Sequence, residues 1–210
     1  MKLIVYDLDG TLIDSRRDLA EAVNFMRRSY GAEPLSVDKV TSYLGDGMMK
    51  LTACCTEDFP VDAEEAFQRV AGYYREHYLV YTVLYPGVAE CLKYFHEAGV
   101  RQVIFSNKRN EFCRRILAGL GVDAYLDEIV GDGLYPLKPA PDGLDAMRKK
   151  YDVPLENCWM IGDNWTDLAA GRAAGFRRVF ARYGFGFPQE EEKQYQIENI
   201  GELIPLISGE

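Results

Sequence analysis

One short β-branched run at residues 3–6, Leu3-Ile4-Val5-Tyr6, is followed by about ninety residues with no comparable strand, and this interruption limits the fold more than any other feature. Beyond it, apolar runs at 101–105, 128–130, 158–161 and 178–180 alternate with amphipathic stretches such as 88–98 and 111–120. Strand then helix, repeated, specifies a parallel sheet covered on both faces, because each crossover returns the next strand in the same direction. Gly99 and Gly121 follow their helices as C′ residues, and Pro86 and Pro141 precede or open the next ones. By composition the isolated first strand belongs to the same sheet. The chain is therefore expected to be an α/β, doubly wound parallel-sheet core over 1–14 and 83–210, interrupted by an inserted domain over 15–82.

The insertion has a helical pattern almost throughout. Leu19, Ala22, Val23 and Met26 form one apolar stripe, and Ala66, Val70, Tyr73, Tyr74 and Tyr78 contribute to another, so it reads as a small all-α cap. At its centre Leu44-Gly45-Asp46-Gly47-Met48 sets two glycines around an acid, which suits either a tight turn approaching a ligand or a plain connector. No internal repeat is evident, and the run Glu190-Glu191-Glu192-Lys193 reads as solvated surface.

Thirty-three acidic residues against twenty-four basic ones leave a net charge of −9, so a nucleic-acid backbone would meet repulsion. Net charge does not exclude a single small anion, because a metal ion or a few cations can reverse the sign locally. The five cysteines (Cys54, Cys55, Cys91, Cys113, Cys158) are odd in number and contain no Cys-x-x-Cys pair, which reads as buried thiols in a reducing compartment. The N-terminus opens directly into a strand, without a signal-peptide succession, and no apolar run approaches the ~18 residues of a membrane helix. The expectation is a cytoplasmic protein with no membrane partner.

In a doubly wound sheet, ligands bind beyond the carboxyl ends of the strands. Four segments qualify. The first strand ends in Asp7-Leu8-Asp9-Gly10-Thr11, where two aspartates two apart point the same way and glycine permits a sharp turn. An isolated Asp-x-Asp-Gly is ordinarily a surface turn; its place after a buried strand favours function. Next, Ser106-Asn107-Lys108 offers a hydroxyl and free backbone N–H groups ahead of a helix, a setting for an anion or an ordinary cap. Lys138 lies in a proline-stiffened segment, Leu137-Lys138-Pro139-Ala140-Pro141, and alone would be a surface lysine. The apolar run 158–161 ends in Gly162-Asp163, with Asp167 four residues on, where capping a helix is the plain alternative.

The set Asp7-Leu8-Asp9-Gly10-Thr11, Ser106-Asn107, Lys138-Pro139 and Gly162-Asp163 through Asp167 resembles the four signature motifs of the haloacid dehalogenase superfamily, and the 15–82 insertion is similar to the helical, C1-type cap of one branch. Within that branch Asp14-Ser15, Asp18-Leu19-Ala20-Glu21-Ala22-Val23-Asn24, Leu44-Gly45-Asp46-Gly47 and Tyr85-Pro86-Gly87-Val88 resemble bacterial phosphoglycolate phosphatases. The resemblance implies Asp7 as the nucleophile that forms an aspartyl-phosphate, and Asp9 as the acid and then the base. It also implies Mg²⁺ held by the Asp7 carboxylate, the Asp9 carbonyl and Asp163. Ser106 and Lys138 would hold the phosphoryl oxygens, with the Asn107 backbone N–H assisting, and Asp167 would orient Lys138 or a metal-bound water. Thr11 would support or line the phosphate loop. The family usually carries a small hydroxyl residue after Gly-Asp in the last motif, whereas Asn164 and Trp165 stand here. Arg16, Arg17 and Lys50, with the backbone of Gly45 and Gly47, are candidates for reading the rest of the substrate; each cation is equally a plain solvated helix charge.

Several chemistries are unsupported. His77 and His96, the only histidines, fall inside helical patterns, so a histidine phosphatase or a serine–histidine triad has no base. No cysteine has an arginine six residues on, and neither Gly-x-Gly-x-x-Gly after the first strand nor a Walker sequence occurs. A true dehalogenase lacks the second aspartate that Asp9 supplies. The expected partner is a small phosphorylated metabolite, bound by a monomer or homodimer. The alternatives are a phosphatase of pyrophosphate or a nucleoside monophosphate, a sugar-phosphate mutase that shields its aspartyl-phosphate from water, and a non-catalytic phosphate-binding regulator.

Overall fold

A computed structural model describes residues 1–209. The chain enters through β1 (Leu3–Tyr6) and a two-residue strand β2 (Ile13–Asp14), then forms four helices: α1 (Arg16–Ser29), α2 (Val37–Thr41), α3 (Met48–Cys54) and α4 (Ala63–His77). It returns through β3 (Val83–Leu84), which pairs antiparallel with β2 and so ties together the two connections to the helical insertion. The remainder alternates: α5 (Val88–Glu97), β4 (Arg101–Arg109), α6 (Asn110–Gly119), β5 (Glu128–Asp132), α7 (Asp142–Tyr151), β6 (Cys158–Gly162), α8 (Trp165–Ala174), β7 (Arg177–Ala181), β8 (Tyr195–Ile197) and α9 (Leu203–Ser208).

All six strands of the main sheet are parallel, in the order β5-β4-β1-β6-β7-β8. Leu3 and Val5 of β1 pack with Leu144 and Met147 of α7 and Ala170 and Ala174 of α8 on one face. Ile4 and Tyr6 join α5, α6, α9 and the insertion on the other. Burial on both faces is why β1 reads as an unbroken apolar run rather than an alternating one. Two features depart from the sequence expectation. The edge strand β8 is short and mostly polar, and β4 runs four residues beyond Phe105, with its register against β5 shifting between Phe105 and Arg109.

In the insertion α1 packs along α4, burying Leu19, Ala22, Val23 and Met26 against Ala66, Val70 and Tyr74. Tyr73 and Tyr78 of the expected stripe are only half-buried, and Tyr73 stacks on Phe25 with ring centroids 4.5 Å apart. The same α1 face also buries Asp18 and Arg27. Arg27 donates to the Glu33 and Cys55 carbonyls, both at 2.6 Å, and to Asp58 at 2.7 Å, and so binds three segments of the insertion to one cation.

Four of the five free cysteines are buried, and burial pushes the Cys55, Cys91 and Cys113 thiols up to about 12, leaving them protonated and inert. Among the described residues no helix is long and apolar enough to cross a membrane.

Candidate active site

Asp7 and Asp163 directly follow the adjacent central strands β1 and β6, and the ladder continues through Asp7 N–H to the Ile161 carbonyl at 2.9 Å. Both acids therefore emerge at the carboxyl edge of the sheet. Lys138, from the segment ahead of α7, donates to Asp7 Oδ1 at 2.7 Å and Asp167 Oδ1 at 2.6 Å. Burial disfavours its charge, but the two carboxylates outweigh that and hold its pKa above the usual range. At the start of α8, Asn164 and Asp167 form a capping box: the Asn164 side chain accepts from Thr166 N–H at 3.3 Å, and Asp167 Oδ2 accepts from Asn164 N–H at 3.0 Å. Capping and a site role thus coincide in Asp167. Burial raises its carboxyl to about 6 in spite of Lys138.

Asp163 is wrapped more completely. Its Oδ1 accepts from Thr11 Oγ1 at 3.3 Å, and its Oδ2 accepts from the backbone N–H groups of Phe185 and Gly186 at 3.1 and 2.7 Å. Burial, then the charges of Asp7 and Asp167, push its pKa far up. Asp7, Asp163 and Asp167 bring oxygens within 4.8 Å of one another around a single lysine, an excess of negative charge that a divalent cation would neutralise. Hard carboxylate donors suit Mg²⁺. Asp167 is committed to the Lys138 ammonium and to the Asn164 N–H, whereas Asp163 meets neutral donors only, so Asp7 and Asp163 are the pair that would hold an ion.

Asp9 stands apart from this cluster. Its two oxygens accept from Lys108 Nζ at 3.0 and 3.1 Å, and Ser15 Oγ donates to Oδ1. Lys108 is buried, and the Asp9 charge holds its pKa up against the burial that would lower it. Ser106 is buried beside it, at the register shift of β4 rather than beyond the strand end. The Asn107 side chain donates to the Gly45 carbonyl at 2.9 Å and the Lys138 carbonyl at 3.0 Å, and its Oδ1 accepts from Lys138 N–H at 2.8 Å.

These groups surround a cavity of about 60 Å³ between core and insertion. Of the residues singled out in the sequence, Asp7, Asp9, Ser106, Asn107, Lys138, Asp163, Gly45 and Gly47 line it. Other expectations need correction. Arg16, Arg17 and Lys50 are not in its wall: Arg16 is engaged by Asp14 at 2.7 Å, the Arg17 guanidinium lies 3.5 Å from the Tyr81 ring centroid, and Lys50 is exposed on α3. Thr11 also lies outside the wall, because its hydroxyl is turned to Asp163. Asn164 lines the cavity, whereas Trp165 does not; the Trp165 backbone N–H donates to the Phe187 carbonyl at 2.8 Å.

Three features escape the sequence reading. Lys108 and Arg109 line the cavity, and the segment 184–186 encloses Asp163, so closely that a Cβ on Gly184 would lie 2.5 Å from Asp163 Oδ2. A lysine directly after Ser-Asn was the available signal for the first. Backbone donors leave no such signal.

A family model described as haloacid dehalogenase-like hydrolase matches residues 1–175. A phosphoglycolate phosphatase of Pseudomonas fluorescens Pf-5 is 33% identical over 215 residues, covering 97% of this chain and 79% of the relative. The chain belongs to the haloacid dehalogenase-like hydrolases. A phosphoglycolate phosphatase of Aquifex aeolicus is 31% identical over 211 residues, with 100% of this chain and 98% of the relative covered. Among solved structures, a predicted phosphoglycolate phosphatase from Haemophilus somnus 129PT superimposes with a TM-score of 0.92 at 24% identity, over 98% of this chain and 97% of that one. At that identity the match bears on the fold: a hydrolase core with an inserted helical cap.

Proposed function

We propose that this hydrolase is a Mg²⁺-dependent phosphatase of small phosphomonoesters that works through an aspartyl-phosphate, with 2-phosphoglycolate its leading substrate. The carrying observation is the buried constellation at the carboxyl edge of the sheet: Asp7 held by Lys138 at 2.7 Å, Asp163 beside it, and Asp9 separately paired. Asp7 and Asp163, with the Asp9 carbonyl, would hold Mg²⁺, which when bound neutralises charge on the incoming phosphoryl group.

A carboxylate oxygen of Asp7 attacks phosphorus as the bond to the leaving oxygen breaks, and Asp9 delivers its proton to that oxygen. Water then attacks the phosphorus of the acyl phosphate. Asp9 takes a proton from it, the Asp7–phosphoryl bond breaks, and inorganic phosphate leaves with the enzyme restored. Lys138 and Ser106 would hold the equatorial oxygens, where stabilising charge is most of what phosphoryl transfer requires. Asp167, anchored by Asn164, keeps the Lys138 ammonium in place.

One observation supports the substrate: several relatives at 31–35% identity carry the name phosphoglycolate phosphatase. The test is Asp7→Asn in a panel of phosphate esters and pyrophosphate. Turnover should vanish with the fold intact, EDTA should silence the wild type, and Mg²⁺ should restore it. Substantial residual turnover by Asp7→Asn removes Asp7 as the nucleophile, and preference for a nucleotide or pyrophosphate overturns the substrate.

A further inference from the structure

The cavity wall has two unlike halves. The insertion side presents Leu19, Leu44, Met48 and Leu51, which offer no side-chain donor or acceptor, and only the backbone of Gly45 and Gly47 is polar there. A polyhydroxylated leaving group pressed against them would lose its hydrogen bonds to water without replacement, at a cost of about 1–3 kcal/mol per stranded hydroxyl. A short carbon chain costs nothing there.

Three cations line the cavity: Lys108, Arg109 and Lys138. Lys138 is held between Asp7 and Asp167, on the phosphoryl side. Arg109 is exposed, with its guanidinium over the Phe67 ring of the insertion, 5.9 Å from the centroid. Lys108 is different. Its side chain is 5% exposed, and one carboxylate, Asp9, is its ion-pair partner. Asp9 would not be stranded if Lys108 turned away, because Ser15 Oγ also donates to it.

A second observation bears on how Lys108 is held. Tyr74 of α4 stands behind it, outside the cavity wall: the residue is fully buried, its ring centroid lies 4.8 Å from Lys108 Nζ, and its hydroxyl faces that ammonium. A buried tyrosine packed on one side of the ammonium leaves the cavity side as the direction in which Lys108 can reach.

We propose that Lys108, positioned by Tyr74, reads a single anionic group on the leaving side of the substrate. The site would thereby select phosphate esters of short hydroxy acids over neutral alkyl phosphates and sugar phosphates. This rests on the phosphatase reading above. An ammonium in a dry, mostly apolar half-cavity interacts strongly with a carboxylate. The apolar remainder supplies the exclusion, since it leaves the extra hydroxyls of a sugar unpaired. Lys108 is a specificity residue here, and its contact with Asp9 is the resting position of a side chain that the substrate carboxylate draws upon.

The experiment compares 2-phosphoglycolate with ethyl phosphate, a leaving group of the same length and no charge, by steady-state kinetics of the Mg²⁺-loaded full chain. Wild type should favour phosphoglycolate in kcat/KM. Lys108→Met, which preserves length without charge, should reduce that preference by about 10- to 100-fold, the size of one buried charge-assisted contact, and mainly through KM. Tyr74→Phe removes only the hydroxyl that positions Lys108 and should reduce the preference by about threefold, again through KM rather than kcat, which keeps the test decisive if Lys108→Met fails to fold. An equal fall on both substrates in Lys108→Met, or an unchanged preference in a folded Tyr74→Phe, overturns the proposal and leaves Lys108 as a partner of Asp9 alone. A wild type that hydrolyses neither ester refutes the phosphatase reading itself, and is distinguished by the absence of activity before any substitution.

Discussion

Asp18 turns from α1 toward the segment by which the insertion returns to the core, and its removal should be among the most damaging single changes in the protein. The buried carboxylate accepts from Val80 N–H at 3.1 Å, Tyr81 N–H at 3.0 Å, Thr82 N–H at 2.9 Å and Thr82 Oγ1 at 2.7 Å, all at Oδ2, while Oδ1 accepts a second contact from Tyr81 N–H at 3.0 Å. In Asp18→Ala, Thr82, itself 4% exposed, keeps two stranded donors at about 1–3 kcal/mol each, while the exposed Val80 and Tyr81 can turn to water and lose about 0.5–1 kcal/mol each. The sum is about 3–8 kcal/mol, a large part of an ordinary domain's ~5–15 kcal/mol. Asp18→Asn should be far milder. With its amide oxygen at the Oδ2 position it retains all four of those contacts, sets an NH₂ only against the solvent-accessible Tyr81 N–H, and loses mainly the charge assistance, about 1–2 kcal/mol. Urea unfolding followed by circular dichroism, with equal slopes required across the set, measures both. An Asp18→Ala variant within 1 kcal/mol of wild type, or an Asn variant as damaged as the Ala variant, refutes the reasoning.

Three further expectations concern the acids and the misplaced cations. In metal-free protein Asp167, raised to about 6, and Asp163, also raised, bind protons more tightly folded than unfolded. The stability that Asp167 lends is present in full below about pH 4 and lost as pH rises through about 6, by up to about 3 kcal/mol, and Asp163 acts in the same direction; melting temperature in EDTA should fall as pH rises through that window and Mg²⁺ should flatten it, whereas a rise in EDTA contradicts the electrostatics. Gly184→Ala sets a Cβ 2.5 Å from Asp163 Oδ2, so Mg²⁺ affinity measured by titration calorimetry should drop by about 10- to 100-fold, and unchanged affinity would dissociate the 184–186 segment from the metal centre. Arg17→Ala should leave KM for phosphoglycolate within about twofold, because Arg17 lies over Tyr81 outside the cavity; a tenfold rise would return it to the wall.

What could be read from the chain before its structure follows a physical division. Asp7 and Asp163 were legible because each directly follows an apolar run, and a parallel strand buried on both faces ends its apolar run where the sheet ends. The insertion was legible from helical periodicity that displaced any second strand. Lys108 was hidden because its burial depends on the register shift that carries β4 past Phe105, a matter of pairing with β5 rather than of local composition. Arg16, Arg17 and Lys50 misled for the converse reason. Periodicity identifies the polar face of a helix but not which structure that face meets once the insertion docks, and here Asp14 and Tyr81 take the two arginines. The donors from Phe185 and Gly186 to Asp163 come from the main chain, which every residue possesses, so no residue type announces them.

The split between core and insertion also explains how so acidic a chain can handle a phosphate. The core contributes nearly all the charge of the site, and the insertion contributes apolar cover. Neither suffices alone, because Lys138 acting through water would be screened, while an apolar lid over an unbalanced carboxylate cluster would raise pKa values and neutralise it. Asn107 joins the two halves: one side chain donates both to Gly45 of the insertion turn and to the Lys138 carbonyl, and also accepts the Lys138 N–H. The turn that covers the cavity and the lysine held between Asp7 and Asp167 are thus fixed through the same amide. A shift of the cover would be felt at the lysine, so exclusion of water by the insertion and the placement of the cation depend on one side chain.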